Sequence, residues 1–295
     1  MTGENGFVGT KAMRLLPGAH GLGTLQSGLD LRQRASLHAA LKGPLPTHVL
    51  HLAGLSFVPD SFKSPEATFD INFLGTLRLL EALAERGFSG RFLFVSSGDA
   101  YGAAGLENMP ITESLPLRPR SPYAVSKAAA EALCFQWSQT GPFEVVIARP
   151  FNHIGVGQSP NFAISDFARQ IARISAGQQE AVINVGNIEV TRDFSDVNDV
   201  LRAYALLLQS GRNGEIYNVC SGVERSVRTL LERLLELSGV SAEIVVDSQR
   251  ARPSEQPRVW GSFEKLARDT GWKPVVAIDD SLLNLYRYWK EEIDK

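Results

Sequence analysis

Continuous apolar runs alternate with longer amphipathic segments along the first half of the chain. The runs at 47–54, 91–95 and 144–148 predict buried strands, because parallel strands covered on both faces show no polar alternation. Between them, apolar positions at helical spacing predict helices over 65–86 and 122–139. The order strand, helix, strand, helix indicates an α/β protein with a doubly wound parallel sheet.

Beyond about residue 155 the pattern loosens, and proline and glycine separate shorter segments. The apolar spacing there predicts helices at 164–175, 197–209, 228–237 and 280–293, and strands at 181–185, 215–219 and 243–246. We therefore expect a first domain over 1–154. Residues 155–295 should form mainly a smaller C-terminal substrate lobe, with some segments returning to the first sheet.

The chain begins with Gly3, Gly6 and Gly9, followed by a helical pattern. In a dinucleotide-binding turn the first glycine permits a tight turn, the second lets the backbone approach a pyrophosphate, and the third allows helix and sheet to pack closely. The phosphates would lie at the helix N-terminus. The spacing favours a Rossmann-type dinucleotide-binding domain, although a glycine-rich loop alone is weak evidence.

Such a turn normally follows the central strand of the sheet, and only Met1 precedes Thr2 and Gly3 here. A buried strand of about five or six apolar residues would contribute roughly 8–15 kcal/mol of burial, as much as the net stability of a whole domain. We therefore expect that the natural chain begins upstream or that this copy has lost its first strand.

The choice between NADH and NADPH depends on the residue after the next strand, which the pattern predicts over 22–25. An acidic residue there would bind the ribose hydroxyls of NAD, and an adjacent arginine would bind the 2′-phosphate of NADP. Gln26 and Ser27 offer neither group. The sequence therefore leaves both cofactors open.

Charge and composition exclude several classes of partner. A formal charge of −2 provides no broad basic field for nucleic acid. No apolar run reaches the length of a membrane span and no signal peptide is recognisable, so we expect no membrane partner and a cytoplasmic location. Cys134 and Cys220 lack metal-ligand spacing and are interpreted as buried thiols. His48 and His51 are interpreted as packed, hydrogen-bonded histidines, so no metal site is expected.

The segment 121–127 carries the strongest chemical signal. Ser121 is a candidate N-cap and Pro122 suits the first helical position. Tyr123 and Lys127 would then lie one turn apart on one helix face. The ammonium could lower the phenol pKa from its usual ~10, which would make the phenol an acid or base toward a carbonyl. A surface helix with the same pair remains the alternative reading.

The glycine-rich start stands in one order with Ser97, Tyr123 and Lys127. This arrangement resembles the extended short-chain dehydrogenase/reductase superfamily, whose catalytic trio is Ser or Thr, Tyr and Lys. Other segments are similar to its nucleotide-sugar branch: 52–54, 149–152, 191–194 and 252–255. Within that branch three segments resemble the GDP-6-deoxy-4-keto-D-mannose reductases, which make GDP-D-rhamnose for surface polysaccharides: 96–102, 151–155 and 217–222.

The resemblance implies an NADPH- or NADH-dependent reduction of a C4 ketone. Ser97 would hydrogen-bond the C4 oxygen, Tyr123 would protonate it, and Lys127 would hold the nicotinamide ribose and tune Tyr123. Further cofactor contacts are implied for a set of residues in the first domain: Gly3, Asn5, Gly6, Phe7, Val8, Asp30, Leu31, Leu52, Ala53, Gly54 and Asn72.

The resemblance also implies a GDP-sugar substrate, held by Ser97, Asp99, Asn152, Arg192, Arg252 and Glu255. Guanidinium groups suit a diphosphate, and a carboxylate can accept from both hydroxyls of a ribose. Two alternatives stay open. Arg192 could pair with Asp193 or Asp196, and Asp99 could be a loop carboxylate that caps backbone N–H groups. Guanine rests on the resemblance alone.

The same scaffold serves GDP-mannose 4,6-dehydratases and nucleotide-sugar 4-epimerases, which oxidise before they reduce. Resembling dehydratases carry Glu two residues after the catalytic Ser or Thr, sometimes preceded by Asp. This chain has Gly98 and the shorter Asp99 there, which favours a reductase. A nicotinamide-binding regulatory module would commonly lack Tyr or Lys, so the presence of Tyr123 and Lys127 favours an enzyme.

Assembly is predicted from the helices that carry Tyr123 and Asn72. Resembling proteins dimerise by pairing these two helices of each subunit into a four-helix bundle. Both segments are more apolar here than burial on one side requires, with a set in the first helix that nearly surrounds it: Ala128, Ala129, Ala132, Leu133 and Phe135. We expect a homodimer.

Overall fold

The computed structural model describes residues 1–22, 29–250 and 256–295. Its main sheet is parallel and four-stranded. The strands lie in the order β1 (His48–His51), β2 (Arg91–Val95), β3 (Glu144–Pro150) and β7 (Ile216–Val219). Helices cover both faces, which confirms the α/β class with a Rossmann-type doubly wound sheet.

The helices of the described residues are α1 (Phe7–Leu15), α2 (Arg34–Ala40), α3 (Val58–Lys63), α4 (Pro65–Phe69), α5 (Gly75–Glu85), α6 (Pro122–Thr140), α7 (Ala163–Ser175), α8 (Val197–Ser210), α9 (Val227–Ser238), α10 (Glu264–Thr270) and α11 (Ile278–Ile293). A π-helical turn at Asp70–Leu74 joins α4 to α5. The long helix predicted over 65–86 is therefore present, with this irregular turn inside it.

Apolar side chains on successive strand positions enter two different cores, which explains why the strands read as continuous apolar runs. Phe92 and Phe94 of β2 pack with Leu79 of α5 and Cys134 of α6 on one face. Leu93 packs on the other face with α1, α8 and α10. Because every strand position is covered, no polar alternation is needed.

Smaller sheets and three helices build the rest of the molecule. β4 (Asn152–Ile154), β6 (Thr191–Asp196) and β8 (Glu224–Ser226) form one sheet, and β5 (Val182–Val185) pairs with β9 (Glu243–Val246). Helices α7, α9 and α11 share a third core with them. The apolar pattern did not predict β4, β6 and β8, because these strands are short and carry polar or charged residues at most positions.

The outer edge of β1 pairs with Thr2, near the start of the chain. The Thr2 amide donates to the Leu50 carbonyl at 3.1 Å, and the Leu52 amide donates to the Thr2 carbonyl at 3.3 Å. No other residue in the described part of the chain pairs with this edge. The upstream strand stays a prediction. The strand expected over 22–25 and the pair Gln26 and Ser27 lie outside the described residues, apart from Leu22.

Cys134 and Cys220 are buried free thiols, as the sequence predicted, and burial raises the pKa of both well above the usual thiol value. Within the described ranges, no helix combines the length and apolarity needed to cross a membrane. The described His, Cys, Asp and Glu residues also form no group of three or more that could hold a metal ion.

Candidate active site

A cavity of about 700 Å³ opens where the strands of the main sheet end. Its walls include residues 52 and 54 after β1, residues 95–97 at the end of β2, and residues 150–152 at the end of β3. Residues of β6 and α7 close it from the opposite side. Ligands of open α/β sheets bind at this edge, so the cavity is the candidate active site.

Helix α6 places Tyr123 and Lys127 in this cavity. The Ser121 hydroxyl accepts the Ala124 amide at 3.1 Å, and Pro122 occupies the first turn, so the helix begins where the sequence predicted. Tyr123 and Lys127 are both buried and line the cavity. The reading of this segment as an exposed surface helix is therefore wrong for its N-terminal turns.

The Lys127 ammonium is held at the end of β2. Its Nζ donates to the Val95 carbonyl at 2.8 Å and lies 5.1 Å from the centroid of the Phe94 ring. Burial lowers the pKa of Lys127 to about 8, while the nearby Cys134 and Glu131 act in the opposite direction. The side chain is therefore mostly charged at neutral pH and titrates just above it.

The structure corrects the expected tuning of Tyr123. Burial raises the pKa of its phenol above the usual value, and the Asp99 carboxylate adds to the rise. A hydrogen bond with Ser97 acts in the opposite direction. The expected lowering of the pKa is therefore wrong, because burial disfavours the charged phenolate more than the hydrogen bond with Ser97 favours it. Tyr123 is a neutral phenol at pH 7.

Ser97 follows the end of β2 by two residues and is the N-cap of a short 3₁₀ turn. Its hydroxyl accepts the Asp99 amide at 3.1 Å, so Ser97 caps the turn and Asp99 donates its backbone N–H. The Asp99 side chain is exposed and lines the cavity. At Gly98 a Cβ would lie 3.3 Å from the ring of Phe151. The turn therefore leaves little room for a side chain at position 98.

The glycine-rich turn has the geometry of a phosphate site. Gly3 has φ of +75°, and a Cβ there would lie 2.8 Å from the Ala53 amide nitrogen. A Cβ on Gly9 would lie 2.0 Å from the Gly3 carbonyl oxygen, so both positions require glycine. Gly6 precedes α1 without a side-chain cap, which leaves the helix N-terminus toward the cavity available for an anion. These residues fit a dinucleotide pyrophosphate.

Several predicted cofactor contacts surround this turn and others do not. Gly3, Gly6, Phe7, Val8, Leu52 and Gly54 line the cavity. The cavity walls, as far as the chain is described, do not include Asn5, Asp30, Leu31, Ala53 or Asn72. Asn5 is exposed. The Ala53 amide nitrogen lies close to Gly3, 2.8 Å from the position that a Cβ on Gly3 would take.

Three of these residues have other contacts in the structure, and their contacts with a dinucleotide stay predictions. Leu31 is a core side chain, packed beneath Gly75 at the start of α5. The Asp30 carboxylate accepts from Arg32, which lowers the pKa of Asp30. Asn72 is buried in the π-helical turn, where its carboxamide binds the Leu55 backbone and the Ser126 hydroxyl. In this position its side chain joins the segment after β1 to α6.

On the substrate side, Asn152 of β4 and Arg192 of β6 line the cavity. The Arg192 guanidinium donates to the Thr191 carbonyl at 2.7 Å. The two carboxylates named as its alternative partners have contacts of their own. Asp193 accepts from Ser221 and Gly222. Asp196 accepts the Asn198 amide at the start of α8 and the Ser281 hydroxyl. Arg252 and Glu255, the other predicted substrate contacts, lie outside the described residues.

A buried ion pair beneath the site was not predicted. Arg149 at the end of β3 binds both oxygens of Glu131 on α6, and the Ser96 hydroxyl donates to the same carboxylate. The guanidinium lies 4.7 Å from the centroid of the Tyr101 ring. The available signal was Glu131 four residues after Lys127, on the inward face of the same helix. The pair joins β2, β3 and α6 next to Ser97.

The two predicted histidines differ in their surroundings. His48 is exposed and contacts the Thr47 hydroxyl. His51 is buried, and both of its ring nitrogens have hydroxyl partners, on Thr2 and Thr76. The prediction of a packed, hydrogen-bonded histidine is confirmed for His51 and is wrong for His48.

The fold and the joint position of Ser97, Tyr123 and Lys127 define an extended short-chain dehydrogenase/reductase. The model of the GDP-mannose 4,6 dehydratase family matches residues 23–284. The chain belongs to this family. It is 48% identical to a GDP-6-deoxy-D-mannose reductase of Pseudomonas aeruginosa, over 99% of this chain and 97% of that protein.

Solved structures agree with this assignment. The NADPH complex of RMD from Pseudomonas aeruginosa superimposes with a TM-score of 0.93, at 48% identity over 98% of this chain and 97% of that one. The NAD complex of Thermus thermophilus UDP-glucose 4-epimerase gives a TM-score of 0.86, at 29% identity over 98% and 97% of the chains. Relatives with this fold thus include reductases and epimerases, so the reaction must be argued from the site.

Proposed function

We propose that this enzyme reduces the C4 ketone of GDP-4-keto-6-deoxy-D-mannose to GDP-D-rhamnose, with NADPH or NADH as the reductant. The observation that carries the proposal is the buried Tyr123 phenol beside Ser97 and Lys127 in the cavity, where its hydroxyl can give a proton to a ketone oxygen. The similarity to the reductase of Pseudomonas aeruginosa supports the same direction.

The chemistry divides between cofactor and protein. A reduced nicotinamide supplies hydride to a carbonyl carbon when it is bound. Tyr123 gives its proton to the C4 oxygen, and Ser97 donates a hydrogen bond to that oxygen, so the ketone gains one hydride and one proton and becomes an alcohol. The resulting phenolate is stabilised by Lys127, whose pKa of about 8 leaves its ammonium mostly charged at neutral pH.

The residues of the first domain would hold the dinucleotide. Gly3 and Gly6 would contact its pyrophosphate at the N-terminus of α1, and Lys127 would bind the nicotinamide ribose. Phe7, Val8, Leu52 and Gly54 would complete that side of the cavity. The relative solved with NADPH supports NADPH as the cofactor.

The second lobe would hold the GDP moiety. Asn152 and Arg192 line the cavity opposite the glycine-rich turn, and Arg192 brings an always-charged guanidinium suited to a diphosphate. Arg252 and Glu255 are proposed to complete this subsite. We assign residues 1–154 to the dinucleotide and 155–295 mainly to the sugar nucleotide. The strand Ile216–Val219 in the main sheet supports the expected return of the second part.

A dehydratase would need an acid–base group that reaches C5 and C6 of the sugar. The carboxylate in that region is Asp99, one methylene shorter than glutamate. The neighbouring Gly98 has almost no room for a side chain against Phe151. Proton transfer requires a heavy-atom distance of about 2.6–3.2 Å, so a shortened acid is poorly suited to this step. This supports a reductase with little dehydratase activity.

We also propose a homodimer in the cytoplasm that serves polysaccharide synthesis. Apolar side chains are exposed on α6, at Val125 and Phe135, and beside it at Phe62 and Leu74. A second copy would cover this patch. Light scattering should give twice the chain mass at micromolar concentration, and a monomeric mass would rule the dimer out. The free thiols of Cys134 and Cys220 support a reducing compartment.

The reaction is tested with the 4-keto-6-deoxy sugar nucleotide and each reduced cofactor, followed by identification of the product sugar by NMR. We expect GDP-D-rhamnose and stoichiometric cofactor oxidation. Tyr123→Phe is the control that removes the proton donor while keeping the ring. GDP-mannose with oxidised cofactor forms the second arm, and efficient formation of the 4-keto-6-deoxy product there would overturn the assignment as a reductase. A uridine-linked substrate tests the preference for guanine.

A further inference from the structure

A buried set of hydrogen bonds runs beneath the glycine-rich turn, through Thr2, His51, Thr76 and Asn72; we call it the His51 network. The Ala53 amide donates to the Thr2 hydroxyl at 3.2 Å, and Thr2 Oγ1 lies 2.7 Å from His51 Nδ1. His51 Nε2 lies 3.0 Å from Thr76 Oγ1, which donates to the Asn72 carbonyl at 2.7 Å. All four side chains are buried.

Only one arrangement of protons satisfies these contacts. The Asn72 carbonyl can only accept, so the Thr76 hydroxyl donates its proton to it. The Thr76 oxygen must then accept a hydrogen bond from His51 Nε2–H. A neutral imidazole then has a bare Nδ1, which accepts the Thr2 hydroxyl proton. The Thr2 oxygen remains free to accept the Ala53 amide. Each donor has one acceptor, and the direction is fixed throughout.

The surroundings of His51 keep the ring neutral. Burial lowers its pKa to about 3, and the positive charge of Lys127 acts in the same direction. The rings of Phe92 and Phe94 lie with centroids 5.6 and 6.0 Å from the imidazole. A fully satisfied polar network in such an apolar site fixes geometry, because any displacement leaves a buried donor unpaired.

The two ends of the network reach the two halves of the cofactor site. At one end, Thr2 and Ala53 support Gly3, whose absent Cβ allows the turn to contact the Ala53 backbone. At the other end, the Asn72 carboxamide binds the Ser126 hydroxyl, which donates to the Tyr123 carbonyl at 2.7 Å. The hydrogen bonds of the network, linked through the backbone and side chain of Asn72, therefore join the phosphate turn to the first turn of α6.

We propose that His51, as the neutral tautomer with its proton on Nε2, is a positioning residue that fixes the glycine-rich turn relative to the Asn72 turn and the catalytic helix. The inference rests on the dinucleotide binding proposed above. A site held in its bound geometry loses less conformational freedom when the ligand binds, so the network should raise the affinity for the dinucleotide without touching it.

Thr76→Val tests the network, because it keeps the shape of the side chain and removes both hydrogen bonds. Thr68→Val is the matched control. Thr68 is equally buried, and its hydroxyl donates to the carbonyl four residues earlier, as that of Thr76 does, but it has no contact with His51. Thr76→Ser restores the hydroxyl. NADPH affinity is measured by direct fluorescence titration, so no turnover is required.

We expect Thr76→Val to weaken NADPH binding about tenfold relative to Thr68→Val, a typical coupling between linked sites. Thr76→Ser should bind like the wild type. The loss should enter the KM for NADPH more than kcat, whereas a general folding defect would lower the active fraction. Equal affinity of the two valine variants, within about twofold, would overturn the proposal. Absence of binding of both NADPH and NADH by the wild type would instead refute the proposed function.

The proton position in His51 provides a test that survives an unstable variant. Long-range ¹⁵N–¹H spectra of the wild type, labelled at histidine, distinguish the two neutral tautomers from imidazolium. We expect the Nε2–H form for His51 at pH 7, unchanged when NADPH is added. A proton on Nδ1, or a charged ring, is incompatible with the hydrogen-bond directions and would contradict the assignment.

Discussion

The ion pair between Glu131 and Arg149 gives the sharpest stability prediction. Both side chains are almost fully buried, with 4% and 3% of their surface exposed. Glu131→Gln keeps the size of the side chain and one oxygen acceptor while it removes the negative charge. The Arg149 guanidinium then remains buried without a counter-ion. Glu131 binds the other nitrogens of the Arg149 guanidinium, and within the described residues Nη1 of Arg149 has no hydrogen-bond partner.

The magnitude follows from the cost of leaving one buried charge unpaired. Removing a single partner of a buried ion pair typically destabilises by about 3–5 kcal/mol. The Glu131 carboxylate also accepts from Ser96, and a glutamine can keep only part of this bonding. Since the net stability of a domain is about 5–15 kcal/mol, we expect roughly a fifth or more of it to be lost.

Urea unfolding followed by tryptophan fluorescence measures this loss. Glu81→Gln is the matched control, because Glu81 pairs with Arg34 at the surface, where 30% and 55% of the two side chains are exposed. An exposed pair contributes about 0–1 kcal/mol, so the control should unfold like the wild type. If Glu131→Gln loses less than about 1 kcal/mol relative to this control, burial does not set the energy of the pair.

Tyr123→Phe should lower turnover about 10²–10⁴-fold while NADPH binding survives, because only the proton donor is removed; near-normal turnover would end the assignment of Tyr123. The pKa of Lys127, lowered to about 8 from its usual 10.5, means that the unfolded chain binds more protons between these values. The contribution of Lys127 to stability should therefore rise with pH across that window, whereas the buried thiols of Cys134 and Cys220 contribute with the opposite sign. The comparison of urea midpoints isolates Lys127, because Lys127→Met should lose stability relative to the wild type as the pH rises. Gly3→Ala should abolish NADPH binding in a fluorescence titration, because its Cβ would lie 2.8 Å from the Ala53 amide. Gly18→Ala is the control: it also has positive φ, at +72°, but open space around it, so it should reduce stability and leave binding intact. Equal binding by the two alanine variants would contradict the phosphate site.

The positions of the candidate trio were predictable because local rules place them, whereas their catalytic role came from the resemblance to the family. Ser121 and Pro122 fix where α6 begins, and helical spacing then sets Tyr123 and Lys127 on one face. Ser97 follows a continuous apolar run, and a buried parallel strand must end at the ligand edge of its sheet. Local pattern thus determined the fold class and the position of the candidate trio.

Residues whose role depends on tertiary contacts were not predictable in the same way. The sequence does not show that Asn72 lies in a π-helical turn, where its carboxamide binds Leu55 and Ser126. The phenol of Tyr123 was expected to have a lowered pKa, but the depth of its burial, which the sequence does not show, raises it. The partner of Glu131 lies 18 residues away, on another element.

The contact between Gly98 and Phe151 constrains how the specificity of this scaffold could change over time. The Phe151 ring is also packed close to Gly261, where a Cβ would lie 2.6 Å from it. A carboxylate at position 98 would therefore require the Phe151 ring to shift by a few tenths of an ångström or a smaller residue to replace it. Replacement empties a buried aromatic site, and truncating a buried phenylalanine to alanine costs about 3–5 kcal/mol. A change of specificity by this route would thus lower stability before any new chemistry appeared.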